Sequence, residues 1–178
     1  MTRFEVVDGR LWHCGQMARR MRPAQRAGLL AAGADPHKEL RARFLASHVR
    51  RAWLVDGDLA ALGGVSGQAL SKQSFAWLTL SEVHCRHALT IIKTLRRSLD
   101  NLVTGSQELV TTIMLDDPVA LQMAAFLGFH VDHDSEGSPA RTRAERRRLI
   151  AHLRGNEASH ISVGGTRFVA MGYHRVDG

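Results

Sequence analysis

Three groups of residues in this chain have side chains that could do chemistry, and the first is the titratable run from Glu82 to His87. It holds His84, Cys85 and Arg86 at the predicted start of a helix. The positive end of a helix and neighbouring cations lower the pKa of a thiol, which would make Cys85 a reactive thiolate. An isolated cysteine is more often a small buried residue. The sequence favours the buried residue at a strand-to-helix junction.

The second group is His130, Asp132 and Asp134, which alternate along an extended segment with His133 on the opposite side. Nitrogen and oxygen ligands of this kind hold metal ions when several of them converge. The Gly-Ser-Pro sequence that follows indicates a turn, which would end the alternation. Solvated turn residues are therefore favoured, and no metal site is predicted.

The third group is the densest cluster of positively charged residues in the chain, and Glu145 is the acidic residue within it. Arginine outnumbers lysine there, and guanidinium groups suit phosphates and carboxylates at interfaces. The alternative is a solvated helix face. Aromatic residues for stacking on bases are missing from this segment, so a protein surface is as good a partner as nucleic acid. The predicted partner-binding residues are Arg141, Arg143, Arg146, Arg147, Arg148 and Arg154.

Length and composition restrict the class of protein. The chain has 178 residues, is 44% hydrophobic and carries a formal net charge of +7, which fits one domain with a basic surface. An apolar run of about 20 residues is missing, and the N-terminus does not look like a secretion signal, so a soluble protein of the cytoplasm is expected. Cys14 and Cys85 are too isolated to indicate a zinc site or a disulfide framework.

The elements that must position these residues follow from periodicity and turn signals. Helical spacing from Cys14 to Val49, broken at Pro23 and at residues 33–36, predicts two helices. Asp35 before Pro36 is a plausible cap. Residues 53–55 and 59–65 around Asp56-Gly57 predict a β-hairpin, because both turn residues tolerate positive φ.

The second half of the chain alternates strands and helices. Strands are predicted at 75–80, 109–115 and 129–131, and a final hairpin or strand at 161–163 and 167–173. Ser81 is a possible N-cap for a long amphipathic helix that ends at Leu102. Asp116 or Asp117 with Pro118 opens another helix, which Gly128 ends. These elements predict an α+β fold with a twisted, mixed, mostly antiparallel sheet and flanking helices.

Two segments resemble the Gcn5-related N-acetyltransferase (GNAT) superfamily over the middle half of the chain. One is Val55 to Gly64 with Ala76-Trp77-Leu78, and the other is Asp117-Pro118-Val119-Ala120 ending in Phe126-Leu127-Gly128-Phe129. The resemblance implies one GNAT-like domain over residues 1–178, with its core at about 53–131 and a basic helical insertion at about 132–158 before the last strand. Within the superfamily, the chain resembles a small group from short-tailed phages that includes internal virion and virion-assembly proteins.

The resemblance implies where acyl-CoA would bind. Active members hold its pyrophosphate in a glycine-rich turn, which matches residues 81–90 here, and this stretch contains no glycine. Glu82 adds a like charge there, although Arg86, His84 and His87 could hold phosphate by their own charge. The implied cofactor-binding residues of this degenerate turn are Leu80, Glu82, Val83, Arg86, His87 and Ala88.

The resemblance also implies a general acid and a general base. Many members carry a tyrosine on the late helix, where this chain has Ala124, and its one tyrosine is Tyr173. Glu82, His84 and His130 are available as a base, and the catalytic residues of an active protein would be Glu82 and His130.

These departures predict a catalytically degenerate member, a pseudoenzyme without a resident cofactor. The resemblance implies a virion or virion-assembly component that binds phage structural proteins or nucleic acid through its basic helix. Binding to a membrane is not expected. The protein would act in the host cytoplasm, in the virion or as an oligomer within an assembly. The alternative is an acetyl-CoA-dependent N-acetyltransferase that acts on an unidentified amine.

Overall fold

The computed structural model describes residues 2–67, 73–83, 87–102, 108–130, 160–163 and 166–173. The helices and strands follow one another in the order β1 (Phe4–Asp8), α1 (Leu11–Arg20), α2 (Pro23–Ala31), α3 (Pro36–Ala46), β2 (Ser47–Val55), β3 (Asp58–Ser66), β4 (Gln73–Leu80), α4 (Ala88–Leu102), β5 (Glu108–Met114), α5 (Pro118–Leu127), β6 (His160–Val163) and β7 (Thr166–Tyr173).

The described strands form one sheet in the order β1-β2-β3-β4-β5-β7-β6. Neighbouring strands are antiparallel except β4 and β5, which are parallel. One face packs under α4 and α5, around Leu95, Leu99 and Leu121. The other packs under α1 and α3, around Met17, Leu40 and Trp77. The predicted α+β fold with a mixed, mostly antiparallel sheet is confirmed.

The hairpin between β2 and β3 is the one that the sequence predicts. Asp56 and Gly57 both have positive φ, 50° and 85°, as a two-residue turn of this hand requires. The Asp56 carboxylate also accepts a hydrogen bond from the backbone N–H of Arg3 at 2.7 Å. The turn thereby holds the start of the edge strand β1, which the sequence did not indicate.

The prediction of two helices between Cys14 and Val49 is wrong, because there are three. Pro23 occupies the first turn of α2, where its missing N–H costs nothing, so it begins a helix rather than only ending one. Asp35 caps α3 as predicted and accepts a hydrogen bond from the Lys38 backbone N–H at 2.8 Å. The next strand, β2, begins at Ser47 rather than at Trp53.

The prediction that Ser81 caps the long helix is also wrong. Ser81 forms a β-bridge with Met21, and its hydroxyl donates to the Ala60 carbonyl at 3.2 Å. The α-helix α4 begins only at Ala88. Because Ser81 still belongs to the sheet, the chain crosses from β4 to α4 through the turn that contains Glu82 and Val83.

The helix α5 has the boundaries that the sequence predicts. The Asp117 carboxylate accepts from the Ala120 backbone N–H at 3.0 Å, Pro118 is in the first turn, and Gly128 ends the helix at φ 102°. The final hairpin of β6 and β7 is confirmed as well. The predicted strand at 129–131 is represented among the described residues by a bridge between His130 and Gly172.

Candidate functional site

The sheet opens in its middle, between β4 and β5. The last register pair of these parallel strands is Phe75↔Val110, although β4 continues to Leu80 and β5 to Met114. On their outer sides, β4 stays paired with β3, and β5 stays paired with β7. The two strands therefore diverge, and the backbone polar groups on their facing edges need partners from outside the sheet.

A cavity of about 180 Å³ lies at this opening and has walls on both faces of the sheet. The side under α4 and α5 is mostly apolar, and includes Leu95, Leu99, Ala120, Met123, Ala124 and Leu127. The side under α2 and α3 is more polar, and includes Gln25, Gly28, Leu29, Glu39, Leu40 and Arg43. A ligand in the opening would therefore be within reach of groups from both faces.

Glu39 and Arg43 carry charge on the polar side of this cavity. They lie one turn apart on α3 and form an ion pair, with 2.6 Å between Arg43 Nε and Glu39 Oε1. Each side chain is about one-third exposed, so the Glu39 carboxylate can be reached by solvent and by a ligand. The sequence did not single out Glu39, because an acid and a base four residues apart are the ordinary pattern of a surface ion pair.

Asp117 is a second carboxylate in the cavity wall, and it is almost fully buried. The same oxygen that caps α5 accepts a hydrogen bond from Arg22 Nη2 at 3.0 Å. Its charge is thus compensated by a buried cation. A carboxylate held in this way is less available for proton transfer than Glu39.

The edge of β4 that faces the opening is hydrogen-bonded by the start of α2, through Gln25 in its first turn and Arg22 just before it. The Gln25 carboxamide donates from Nε2 to the Leu78 carbonyl at 3.0 Å and accepts from the Leu80 N–H at 3.2 Å. The backbone N–H of Arg22 donates to the Leu80 carbonyl at 3.1 Å. Residues 22–25 therefore supply the partners that β5 no longer supplies.

Two tryptophans line the cavity, Trp53 on β2 and Trp77 on β4. The Trp77 indole donates to the Ser47 hydroxyl at 2.8 Å, which in turn donates to the Arg43 carbonyl at 2.7 Å. A Cβ on Gly64 would lie 2.7 Å from the Val49 carbonyl and 3.0 Å from the Trp77 indole nitrogen. Gly64 therefore leaves the space in which the Trp77 indole and the Ser47 hydroxyl meet.

The residues predicted to bind the cofactor lie where β4 passes into α4. Leu80 is buried at the end of β4, Glu82 is exposed, and Val83 is half-buried. His87 is half-buried just before Ala88, the first residue of α4. Arg86 and His84 lie outside the described residues, as does Cys85. The role of this turn stays a prediction.

The two predicted catalytic residues lie away from the cavity wall. Glu82 is exposed beyond the end of β4, and the buried His130 forms backbone hydrogen bonds in both directions with Gly172. Neither lines the cavity, whereas Glu39 and Asp117 do. Their catalytic role is untested.

The two positions considered for a general acid differ in their surroundings. Ala124 lies in the cavity wall and has no proton to give. Tyr173 is buried on β7, where its ring packs against Phe129 with 5.5 Å between centroids and approaches Gly128. Tyr173 does not line the cavity.

Cys14 is buried between α1 and α3, with its Sγ 3.9 Å from the Leu40 carbonyl. Burial raises the pKa of the Cys14 thiol, so it stays protonated at neutral pH. It is a packing residue rather than a nucleophile.

The six arginines of the predicted partner-binding helix lie outside the described residues, and so do Asp132, His133 and Asp134. Within the described part of the chain, His, Cys, Asp and Glu side chains do not gather in threes as a metal site needs. None of the described helices has both the length and the apolar content to cross a membrane.

No family model matches this sequence, and no curated protein matches it either. Solved structures do match the fold over nearly the whole chain. The ribosomal-protein-S18-alanine N-acetyltransferase of Escherichia coli covers 96% of this chain and 93% of its own, at 9% identity and a TM-score of 0.56. The yncA protein of Salmonella typhimurium, solved with its cofactor acetyl-CoA, covers 99% and 98%, at 12% identity and a TM-score of 0.56.

A third structure is an acetyltransferase of the GNAT family from Bacillus anthracis. It covers 96% of this chain and 93% of its own, at 8% identity and a TM-score of 0.55. Identities this low carry information about the fold alone. The chain has the fold of the GNAT N-acetyltransferases.

Proposed function

We infer that this chain is an acyl-CoA-dependent N-acyltransferase, which moves an acyl group from a thioester to an amine. The observation that carries the proposal is the opening between β4 and β5, because its cavity has walls on both faces of the sheet. A thioester and an amine could meet there from opposite sides. Holding two reactants together in this way is a large part of what an enzyme can contribute to such a reaction.

The residues of the site fit the acyl end of a thioester well. The wall under α4 and α5 is apolar, as an acyl group requires, and Leu95, Leu99 and Met123 belong to it. Phosphates would lie near the start of α4, where a helix N-terminus favours anions. His87 stands there, and since the turn has no glycine, its side chains rather than its backbone would make most of the contacts.

Glu39 is the group that we assign to proton transfer. It faces the cavity from the polar side, where an amine would enter. The nitrogen–carbon bond forms and the carbon–sulfur bond breaks, while the amine proton passes to the Glu39 carboxylate directly or through a water molecule. Ala124 gives the departing thiolate no proton, so that proton comes from solvent.

Calorimetric titration of acetyl-CoA into the full chain tests the proposal, followed by an assay of free thiol release with a panel of amines and peptide N-termini. We expect micromolar binding, and thiol release that depends on the amine. A chain that neither binds acetyl-CoA nor releases thiol would overturn the assignment.

Replacement of Glu39 by Gln keeps the shape of the side chain and removes its ability to take up a proton. We expect kcat to fall about 100-fold or more, with acetyl-CoA affinity little changed. The matched control is Glu5→Gln on β1, a carboxylate that does not line the cavity, which should leave kcat unchanged. Equal kcat values for wild type and Glu39→Gln would remove Glu39 from the mechanism.

A second candidate is a protein that keeps the fold and acts by binding a partner, as the sequence predicts. The observation that favours it is the β4 edge, whose hydrogen bonds are already made by Gln25 and Arg22. Its setting in a phage particle rests on the sequence resemblance. Pull-down from a phage-infected lysate tests this candidate, with a control in which Glu replaces the six arginines of the predicted basic helix; equal capture by both proteins would contradict it.

A further inference from the structure

Along β4, the hydrogen bonds to β3 show which backbone N–H and C=O groups point into the opening. The Ser81 N–H donates to the Ala60 carbonyl on β3 at 2.9 Å. Residues along a strand alternate in the side toward which their backbone groups point, so those of Leu80 and Leu78 point away from β3 and into the opening. Beyond Phe75 they have no partner on β5.

Gln25 reproduces the pattern that a continuing parallel strand would provide. In a parallel pair, the carbonyl of one residue and the N–H of the residue two positions later bond to the same neighbour. The Gln25 carboxamide bonds in this way to the Leu78 carbonyl at 3.0 Å and the Leu80 N–H at 3.2 Å. The Gln25 carboxamide thus stands where one residue of an extended chain, with its N–H and its carbonyl, would pair with β4.

Arg22 closes the end of the same opening. Its backbone N–H donates to the Leu80 carbonyl at the end of β4, and its guanidinium reaches Asp117, which follows β5. The side chains of Arg22 and Asp117 are only 10% and 2% exposed. Arg22 therefore joins the two diverging strands from inside the protein.

We propose that Gln25 and Arg22 form a latch that sets the affinity of the opening for acyl-CoA, and that the Gln25 carboxamide is displaced when the amides of the ligand bind to the β4 edge. The inference rests on the proposed function. Coenzyme A carries two amides in its extended arm, and the N–H of one and the carbonyl of the other can point to the same side, as the N–H and carbonyl of one strand residue do. Together they could replace the one donor and the one acceptor that Gln25 presents to β4, which would leave the number of hydrogen bonds on β4 unchanged.

The observed affinity equals the affinity of the open state multiplied by the fraction of molecules in which the latch is open. An open state populated at about 10% or less corresponds to an affinity about 10-fold or more below that of an unlatched chain. Removal of the Gln25 carboxamide should therefore tighten binding, whereas removal of an ordinary ligand contact would weaken it. The direction of the change in affinity therefore distinguishes a latch from an ordinary ligand contact.

The experiment is calorimetric titration of acetyl-CoA into the full-length wild type, Gln25→Ala and the matched control Gln122→Ala, which removes an exposed glutamine from α5. Gln25→Leu repeats the test with a side chain that fills more of the space, in case Gln25→Ala does not fold. We expect a Kd about 10-fold or more lower in the Gln25 variants, and no change in Gln122→Ala.

Each outcome decides between the two proposals. Equal affinity in wild type and Gln25 variants, or weaker binding in the variants, overturns the latch and leaves the acyltransferase standing. Binding in the Gln25 variants but not in wild type supports both. Absence of binding in every protein overturns the proposed function and the latch with it.

Discussion

His13 is a buried titratable residue in the first turn of α1. Its Nδ1 accepts a hydrogen bond from the Arg10 backbone N–H at 2.8 Å, so the ring is neutral in the folded protein. Burial lowers the pKa of His13 below its ordinary value of about 6.5. Protonation of His13 therefore favours the unfolded chain. The stability that the neutral His13 ring contributes is complete above about pH 6.5 and is lost as the pH falls through the lowered folded-state pKa.

The variant His13→Gln keeps an acceptor side chain and cannot titrate. We expect its free energy of unfolding to fall less than that of wild type between about pH 7 and pH 5, the range in which histidine changes charge. Urea denaturation at a series of pH values measures this difference. His37→Gln, an exposed position on α3, is the control and should follow wild type; a parallel fall in His13→Gln would contradict the assignment.

At the scale of elements, α2 lies against β5 through Gly28. A Cβ at this position would lie 1.7 Å from the Met114 sulfur, so Met114 would have to move into the cavity that it lines. We expect Gly28→Ala to destabilise the protein by only about 1 kcal/mol, because the Met114 thioether is the flexible end of a side chain and can move, and because the helix preference of alanine offsets part of the cost. Adding Met114→Ala should relieve the clash, so denaturation of the four proteins of the cycle should give a clearly non-additive result. Additive effects would mean that the two residues do not meet.

Elements specified by neighbouring residues were predictable from the sequence. The Asp56-Gly57 turn and the Asp117, Pro118 and Gly128 boundaries of α5 each depend on a few adjacent residues with strong conformational preferences. These signals act locally, and the structure contains them as predicted.

Elements specified by tertiary pairing were missed. The first half of β2 carries Ser47, His48, Arg50 and Arg51, which have little strand preference, and it is a strand because β3 pairs with it. The β1 pairing reaches only as far as Arg51. The opening between β4 and β5 was missed for the same reason, since divergence of two strands has no sequence pattern. Glu39 faces the cavity only because α3 packs where it does.

At the scale of the whole molecule, the sheet consists of two halves, β1 to β4 and β5 with β7 and β6. The halves pair directly over a short stretch that ends at Phe75↔Val110, and the buried Arg22–Asp117 ion pair joins them at the far end. A charge left without its partner in such a site is costly. Arg22 therefore has a stabilising role that extends beyond its own helix connection.

We expect Arg22→Ala to lower the free energy of unfolding by about 3–5 kcal/mol, because it leaves the buried Asp117 carboxylate uncompensated. Asp117→Asn in the same background should recover part of the loss, since asparagine still caps α5 without a charge. Arg20→Ala removes an exposed ion pair with Asp58 and should cost about 1 kcal/mol or less. Guanidinium denaturation compares them, and equal losses for Arg20→Ala and Arg22→Ala would contradict the role of the buried pair.

The placement of the tryptophans gives the protein an optical reporter. The chain has three tryptophans; Trp53 and Trp77 line the cavity, while Trp12 is 64% exposed on α1. A Trp12→Phe protein would retain indole emission from the cavity wall alone. Its fluorescence would then follow events in the opening in real time, including the rate at which it opens, without any added label.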